Sequence, residues 1–363
     1  MSGAGSAAGT RPPPVPLRDG ASTEHGCPRA LATALARYRG CDPGRSRREL
    51  VLTAVPFAAC WGLMAYALSS GIWLGILLAL PTAAFLVRLF MIQHDCGHGA
   101  FLTDRRANDW IGRAIGVLTV TPYDYWRRTH ALHHASSGHL GRRGMGDVAT
   151  LTVGEFRSRG RLGRLGYRAY RHPVVMFGLG PLYLFVLQHR LPVGLARAGL
   201  GPWASTIGTN AAIAVLAGAA IAALGWPVFL AVQLPVVALA ATAGVWLFYV
   251  QHQFERTSWE AEGAWQLHEA ALEGSSHYDL PPVARWFSAN IGIHHVHHLV
   301  SRIPFYRLPE VLRDHPRLAD VNRITLRQSL ACPRLTLWDE EKRRLVSFAA
   351  AAGPAAPAGA TIA

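Results

Sequence analysis

The chain is 363 residues long, half hydrophobic and only 16% charged, with a formal net charge of +14. Soluble domains carry roughly 25% charged residues, so this composition excludes an ordinary soluble protein and points to a membrane-embedded one. The positive charge does not indicate a nucleic-acid partner: Lys342 is the only lysine, the arginines are interleaved with apolar runs and no nucleic-acid motif occurs, so anionic lipid headgroups are the expected counter-surface.

Residues 1–47 are rich in Gly, Pro, Ala and Arg and contain no apolar signal core, so this segment is expected to be a disordered tail that is not removed. From Val51 to Val87 there is no Asp, Glu, Lys or Arg. About 20 apolar residues cross a bilayer core, so two spans are predicted here, about 51–69 and 71–91, turning near Ser69, Ser70 and Gly71. Residues 173–188 are apolar but short and contain Gly178, Gly180 and Pro181, which predicts a re-entrant or interfacial segment. A second uncharged run, Ala198 to Phe254, is divided at Gly225 and Pro227 into predicted spans 206–224 and 227–250.

The expected architecture is an all-α integral membrane protein. Four transmembrane helices form two hairpins, joined by the interfacial helix, and a helical cap completes a folded domain over residues 48–346; residues 347–363, rich in Ala, Gly and Pro, are expected to be a second disordered tail. An even number of crossings returns the chain to one side each time. Arg45, Arg47, Arg48 and ten arginines from Arg127 to Arg171 flank that side, and the positive-inside rule makes it cytoplasmic, together with both termini. The five cysteines lack any CxxC pair, which suits a reducing compartment.

Ten of the 17 histidines fall in clusters on this side. His94 and His98 close the second span four residues apart, on one helical face that can grip a metal. His130, His133 and His134 follow with a spacing that puts all three imidazoles on one side of a helix, and His294, His297 and His298 repeat it. His252 stands at the end of the fourth span, and His295 lies inside the last run. Nine ligand positions exceed what one tetrahedral zinc uses, so two metals are the economical count. Imidazole alone does not select among zinc, copper, iron and nickel.

The ordered set HDCGH, HALHH and HHVHH, with the flanking stretches RRGMGDVATLT, QHQFE, ALEGSS and SRIPFYRL, resembles the membrane fatty acid desaturases, non-haem di-iron enzymes with three histidine boxes. The similarity runs from about residue 48 to about 340 and is greatest to bacterial and plastid-type acyl-lipid desaturases of the omega-6 (delta-12) group. It implies two iron ions held by His94, His98, His130, His133, His134, His252, His294, His297 and His298. O2 is then the co-substrate, and a cis double bond enters an acyl chain. His295, Asp95, Asp147 and Glu255 are expected beside the ligands, orienting imidazoles by hydrogen bonds. His277 is left out of the metal site. Trp126, Trp265 and Trp286 are read as interfacial tryptophans.

No haem-attachment, dinucleotide-binding or iron–sulfur cysteine motif occurs, so electrons are expected from a separate, ferredoxin-like carrier, to which the arginine-rich face would be complementary. Three alternatives carry the same histidines. A hydroxylase, acetylenase or carotenoid oxygenase could use the same scaffold; a histidine-rich metal transporter or sensor would place polar groups at mid-membrane, which these spans avoid; an inactive scaffold would not need every ligand position filled.

Overall fold

A computed structural model describes residues 27–144 and 146–352. Four of its helices are long and apolar enough to cross a membrane: Pro43–Ser69, Trp73–His98, Leu200–Leu224 and Trp226–His252. Each covers its predicted span, the second all but residues 71 and 72, and the second and fourth run on to end at His98 and His252. The first begins at Asp42, whose carboxylate accepts from the Gly44 and Arg45 backbone amides ahead of an N-terminal Pro43, a combination that satisfies the free amides of a helix start.

Glu49, near the start of the first long helix, pairs at 2.6 Å with Arg88, near the end of the second, so the two run antiparallel. Trp61 Nε1 donates to Gln233 Oε1 across to the fourth helix at 3.1 Å, and Leu86, Leu89, Ile92, Val232 and Val236 are buried in the same core. The third helix differs. In its most apolar stretch no residue is buried against protein, and a helix apolar all round with a bare surface is stable only where lipid covers it. The protein is a mostly helical membrane protein.

Residues 173–188 are helical as predicted, but mostly π-helical: Val175–Leu179 and Tyr183–Leu187 flank a short α turn, Gly180–Leu182. Phe177 packs edge-on to Trp246 and Tyr249 of the fourth long helix. Phe185 packs edge-on to Phe90 of the second.

The structure agrees with the expected all-α membrane class, adds a few short strands and corrects two expectations. The strands are minor: Leu151–Thr152 pairs in parallel with Leu337–Asp339, which pairs antiparallel with Arg344–Val346, and His277–Asp279 pairs in parallel with Arg323–Thr325. Strands of two or three residues are too short to show an alternating pattern. Residues 27–47 of the expected N-terminal tail are ordered. Pro28–Leu35 forms a helix whose Leu35 is buried with Tyr38 against Ile293, Val296 and Ile303, and the Tyr38 hydroxyl donates to Asp314 at 2.6 Å. The expected C-terminal tail likewise begins as the helix Phe348–Ala351, with Phe348 against Phe156 and Tyr167. In both, a few apolar side chains meet distant partners, an effect that local composition does not register. The remainder of both predicted tails, 1–26 and 353–363, lies outside the described residues.

Candidate metal centre

Four elements bring the histidines together. The second long helix ends on His94 and His98 and is terminated by Gly99 in the left-handed region, φ 65°, a standard helix stop. The helix Tyr123–Ser136 carries His130, His133 and His134. The fourth long helix ends on His252, and the short helix His294–Leu299 carries His294, His297 and His298.

The nine rings sort into two groups. Ligand nitrogens of His94, His98, His130, His134 and His297 lie within 4.8 Å of one another, and so do those of His133, His252, His294 and His298. The grouping cuts across the sequence boxes. His130 and His134, four apart, join the first group while His133 turns to the second; His297 joins the first while His294 and His298 join the second. The expectation that each HxxHH run presents one common ligand face is therefore corrected: positions three apart on a helix diverge by about 60°, enough to direct neighbouring rings to different centres.

The distances are those of ligands around a common cation. In the first group Nε2 of His130 lies 3.1 Å from Nε2 of both His98 and His134, and His134 lies 3.1 Å from His297. In the second, His133 lies 3.2 Å from His252 and 3.3 Å from His298, and His252 lies 2.9 Å from His294. A metal–imidazole bond of about 2.1 Å with ligands at right angles places their nitrogens about 3.0 Å apart.

Hydrogen bonds on the far ring nitrogens decide what the near ones present. The Asp147 carboxylate accepts from Nδ1 of His133 at 2.6 Å, and the Gly274 carbonyl accepts from Nδ1 of His252 at 3.1 Å. Each of these rings, when neutral, then carries its proton on Nδ1 and a bare lone pair on Nε2. Two lone pairs facing each other at 3.2 Å repel unless a cation lies between them. Burial acts in the same direction: desolvation, reinforced by neighbouring imidazoles, holds His130, His134, His294, His297 and His298 well below the usual histidine range, in the neutral form that metals bind.

The remaining predicted residues fare differently. Asp147 meets His133, and the loop reaches the helix because Gly146, at φ 75°, leaves room; a Cβ there would stand 3.1 Å from the Thr129 carbonyl and 3.2 Å from His133 Cβ. Asp95 Oδ1 lies 3.4 Å from His94 Nδ1, a long contact, while its Oδ2 accepts from the Phe305 amide at 2.7 Å and so ties the first box to the stretch after the third. Glu255 is a correction. It is exposed and pairs with Arg344 at 3.1 Å, because the helix ends at His252 and the chain turns away within three residues. His295 is another: it is fully buried, but among the described residues it bonds no histidine of either group, and its ring lies against His277, centroids 5.9 Å apart. Burial pushes His295 down to about 3.

Two contributors escaped the sequence reading. The Gly274 carbonyl has no side chain to signal it. Trp126, read as interfacial, stacks on His130 with centroids 4.7 Å apart and planes 14° off parallel.

The family model for fatty acid desaturases matches residues 45–329, which spans all nine histidines. The chain belongs to the fatty acid desaturase family. Its members are oxidoreductases, and this chain is one of them. A Bacillus subtilis protein named fatty acid desaturase is 41% identical over 320 residues, 88% of this chain and 90% of its own. An sn-1 oleoyl-lipid 12-desaturase of Synechocystis is 26% identical over 246 residues, 62% of this chain and 64% of that one. An sn-1 acyl-lipid omega-3 desaturase (ferredoxin) of the same organism is 26% identical over 232 residues, 61% of each chain. The chain thus spans under two thirds of either Synechocystis protein.

Proposed function

We propose that this chain is an acyl-lipid desaturase that holds two irons, one in each histidine group, and introduces a cis double bond at the omega-6 (delta-12) position of a lipid-bound oleoyl chain. The observation that carries the metal reading is the facing pair of His133 and His252 lone pairs, each fixed by a hydrogen bond on its other ring nitrogen. An all-nitrogen set suits iron among several metals; family membership favours iron over the others. The bond position and lipid-linked substrate rest on the oleoyl-lipid 12-desaturase relative.

Bound iron would supply the oxidising chemistry that draws hydrogen from an unactivated methylene, where acid and base side chains have no purchase. The protein's own groups do the positioning. Asp147 and the Gly274 carbonyl fix the His133 and His252 rings; Trp126 stacked on His130 and Phe248, 5.1 Å from both His133 and His252, present apolar aromatic faces beside the rings and limit water there. Electrons come from a separate ferredoxin-like carrier, the donor in the name of one relative. The four long helices form two hairpins in a bacterial cytoplasmic membrane, with the metal centre, both termini and the arginine-rich segments on the cytoplasmic side, and residues 173–188 lie at the interface or re-enter.

Expression in a bacterium fed either stearate or oleate, followed by fatty acid profiling, tests this. A new diene from oleate, absent in His297→Ala, supports it. A new monoene from stearate at another position overturns the delta-12 assignment, and an oxygenated product without a new double bond overturns desaturation.

A further inference from the structure

Arg88 is the first charge after the uncharged run and Glu49 lies just before it; their ion pair marks the level at which the molecule passes from apolar to polar. The segment Pro282–Phe287 sits at that level. The Trp286 carbonyl accepts from the Arg88 guanidinium, and Trp286 and Phe287 meet Phe85 edge-on at 6.1 and 5.1 Å. Beside this segment an open cleft of about 430 Å³ is lined by Asp279, Pro281, Pro282, Arg285, Thr325 and Arg327.

Two features of the cleft need a partner. Arg285 and Arg327 are both exposed, and among the described residues neither pairs with a carboxylate; Asp279 is already taken by Arg323 through contacts of 2.5 and 3.0 Å. Apolar side chains accompany the arginines: Leu326, which lines the cleft, is exposed, and Val283 (70% exposed), Trp286 and Leu330 (66%) are exposed within three residues of the lining residues Pro282, Arg285 and Arg327. Two unpaired guanidiniums accompanied by exposed apolar side chains at the membrane boundary match an amphiphile with an anionic head, since guanidinium binds phosphate oxygens in pairs and the apolar side chains favour acyl chains over water. An acidic soluble protein would satisfy the arginines and leave the apolar side chains uncovered.

We propose that this cleft binds the headgroup of an anionic phospholipid, its phosphate between Arg285 and Arg327 and its chains along Val283, Leu326 and Leu330. The proposal rests on the membrane placement of the long helices and not on the reaction, so it can fail while desaturation stands.

The test is native mass spectrometry of the purified full chain titrated with phosphatidylglycerol or phosphatidylcholine. The wild type is expected to retain phosphatidylglycerol about ten-fold more tightly than Arg285→Gln/Arg327→Gln, the equivalent of two lost phosphate contacts, and more tightly than phosphatidylcholine. Arg142→Gln/Arg313→Gln, which removes equal charge from exposed ion pairs, is expected to match wild type. Should the double variant misfold by circular dichroism, Arg327→Gln and Arg327→Lys are compared, the lysine expected to retain more lipid than the glutamine. Equal retention by the cleft variant and wild type overturns the proposal, as does equal loss in the control pair. Displacement by millimolar inorganic phosphate would assign a free anion, and retained lipid with lost binding of a reduced acidic ferredoxin would assign carrier docking; either result also overturns it.

Discussion

The two histidine groups differ in how their geometry is held. The group of four is buried throughout, and two of its rings are tied at the far nitrogen, His133 by Asp147 and His252 by the Gly274 carbonyl. In the group of five, His98, His130 and His134 are partly exposed, and the nearest counterparts to those ties are the 3.4 Å contact of Asp95 with His94 and the stacking of Trp126 on His130. Hydrogen bonds fix the first arrangement and packing fixes the second, so the group of four is the rigid half of the site and the group of five the accessible half.

Removing a candidate ligand should break either half. His133→Ala and His134→Ala should each lower desaturation by more than about a hundred-fold, beyond the 10–100-fold typical of supporting residues, as read by product formation at equal protein level.

Acid should strike both halves. An unfolded histidine takes up protons below about 6.5, whereas burial holds His130, His134, His294, His297 and His298 well below that in the folded chain. The unfolded state therefore binds more protons in this window, and the metal-free protein should lose stability as pH falls below about 6.5 and gain none above it. Thermal denaturation at stepped pH checks this; a flat profile between neutral pH and pH 5 would contradict the burial of neutral rings.

The difference in tethering makes a sharper test. Asp147→Asn should weaken metal retention by about 10–100-fold and Asp95→Asn by less, measured by chelator competition; the reverse order would invert the comparison. Gly146→Ala should cost about 1–3 kcal/mol through its left-handed backbone, seen as a lowered Tm together with loss of the Asp147 tie. Glu255→Gln should be nearly silent, within about 1 kcal/mol, since its partner Arg344 is a surface contact.

The sequence reveals the long helices and eight of the nine candidate ligand histidines because both depend on local patterns, uncharged runs long enough to span and spacings of three and four; His252 stands alone and is marked only by its place at the end of the fourth span. It fails where position depends on what an element faces. Nothing in HALHH shows that His133 turns from its neighbours; that follows from the placement of the helices bearing His252 and His298. Glu255 stands three residues from His252 and misleads, because a helix end redirects the chain between them. Leu35 and Tyr38 look like part of a polar tail until Ile293 and Val296 are brought against them. The carbonyl of Gly274 carries no residue-type signal at all.

The central claim is that adjacent histidines of one box serve different irons. Mössbauer spectroscopy of iron-enriched wild type, His133→Ala and His134→Ala tests it most directly. Two iron sites are expected in the wild type, with the two variants depleting different ones; a single site, or the same site lost in both variants, would contradict the account.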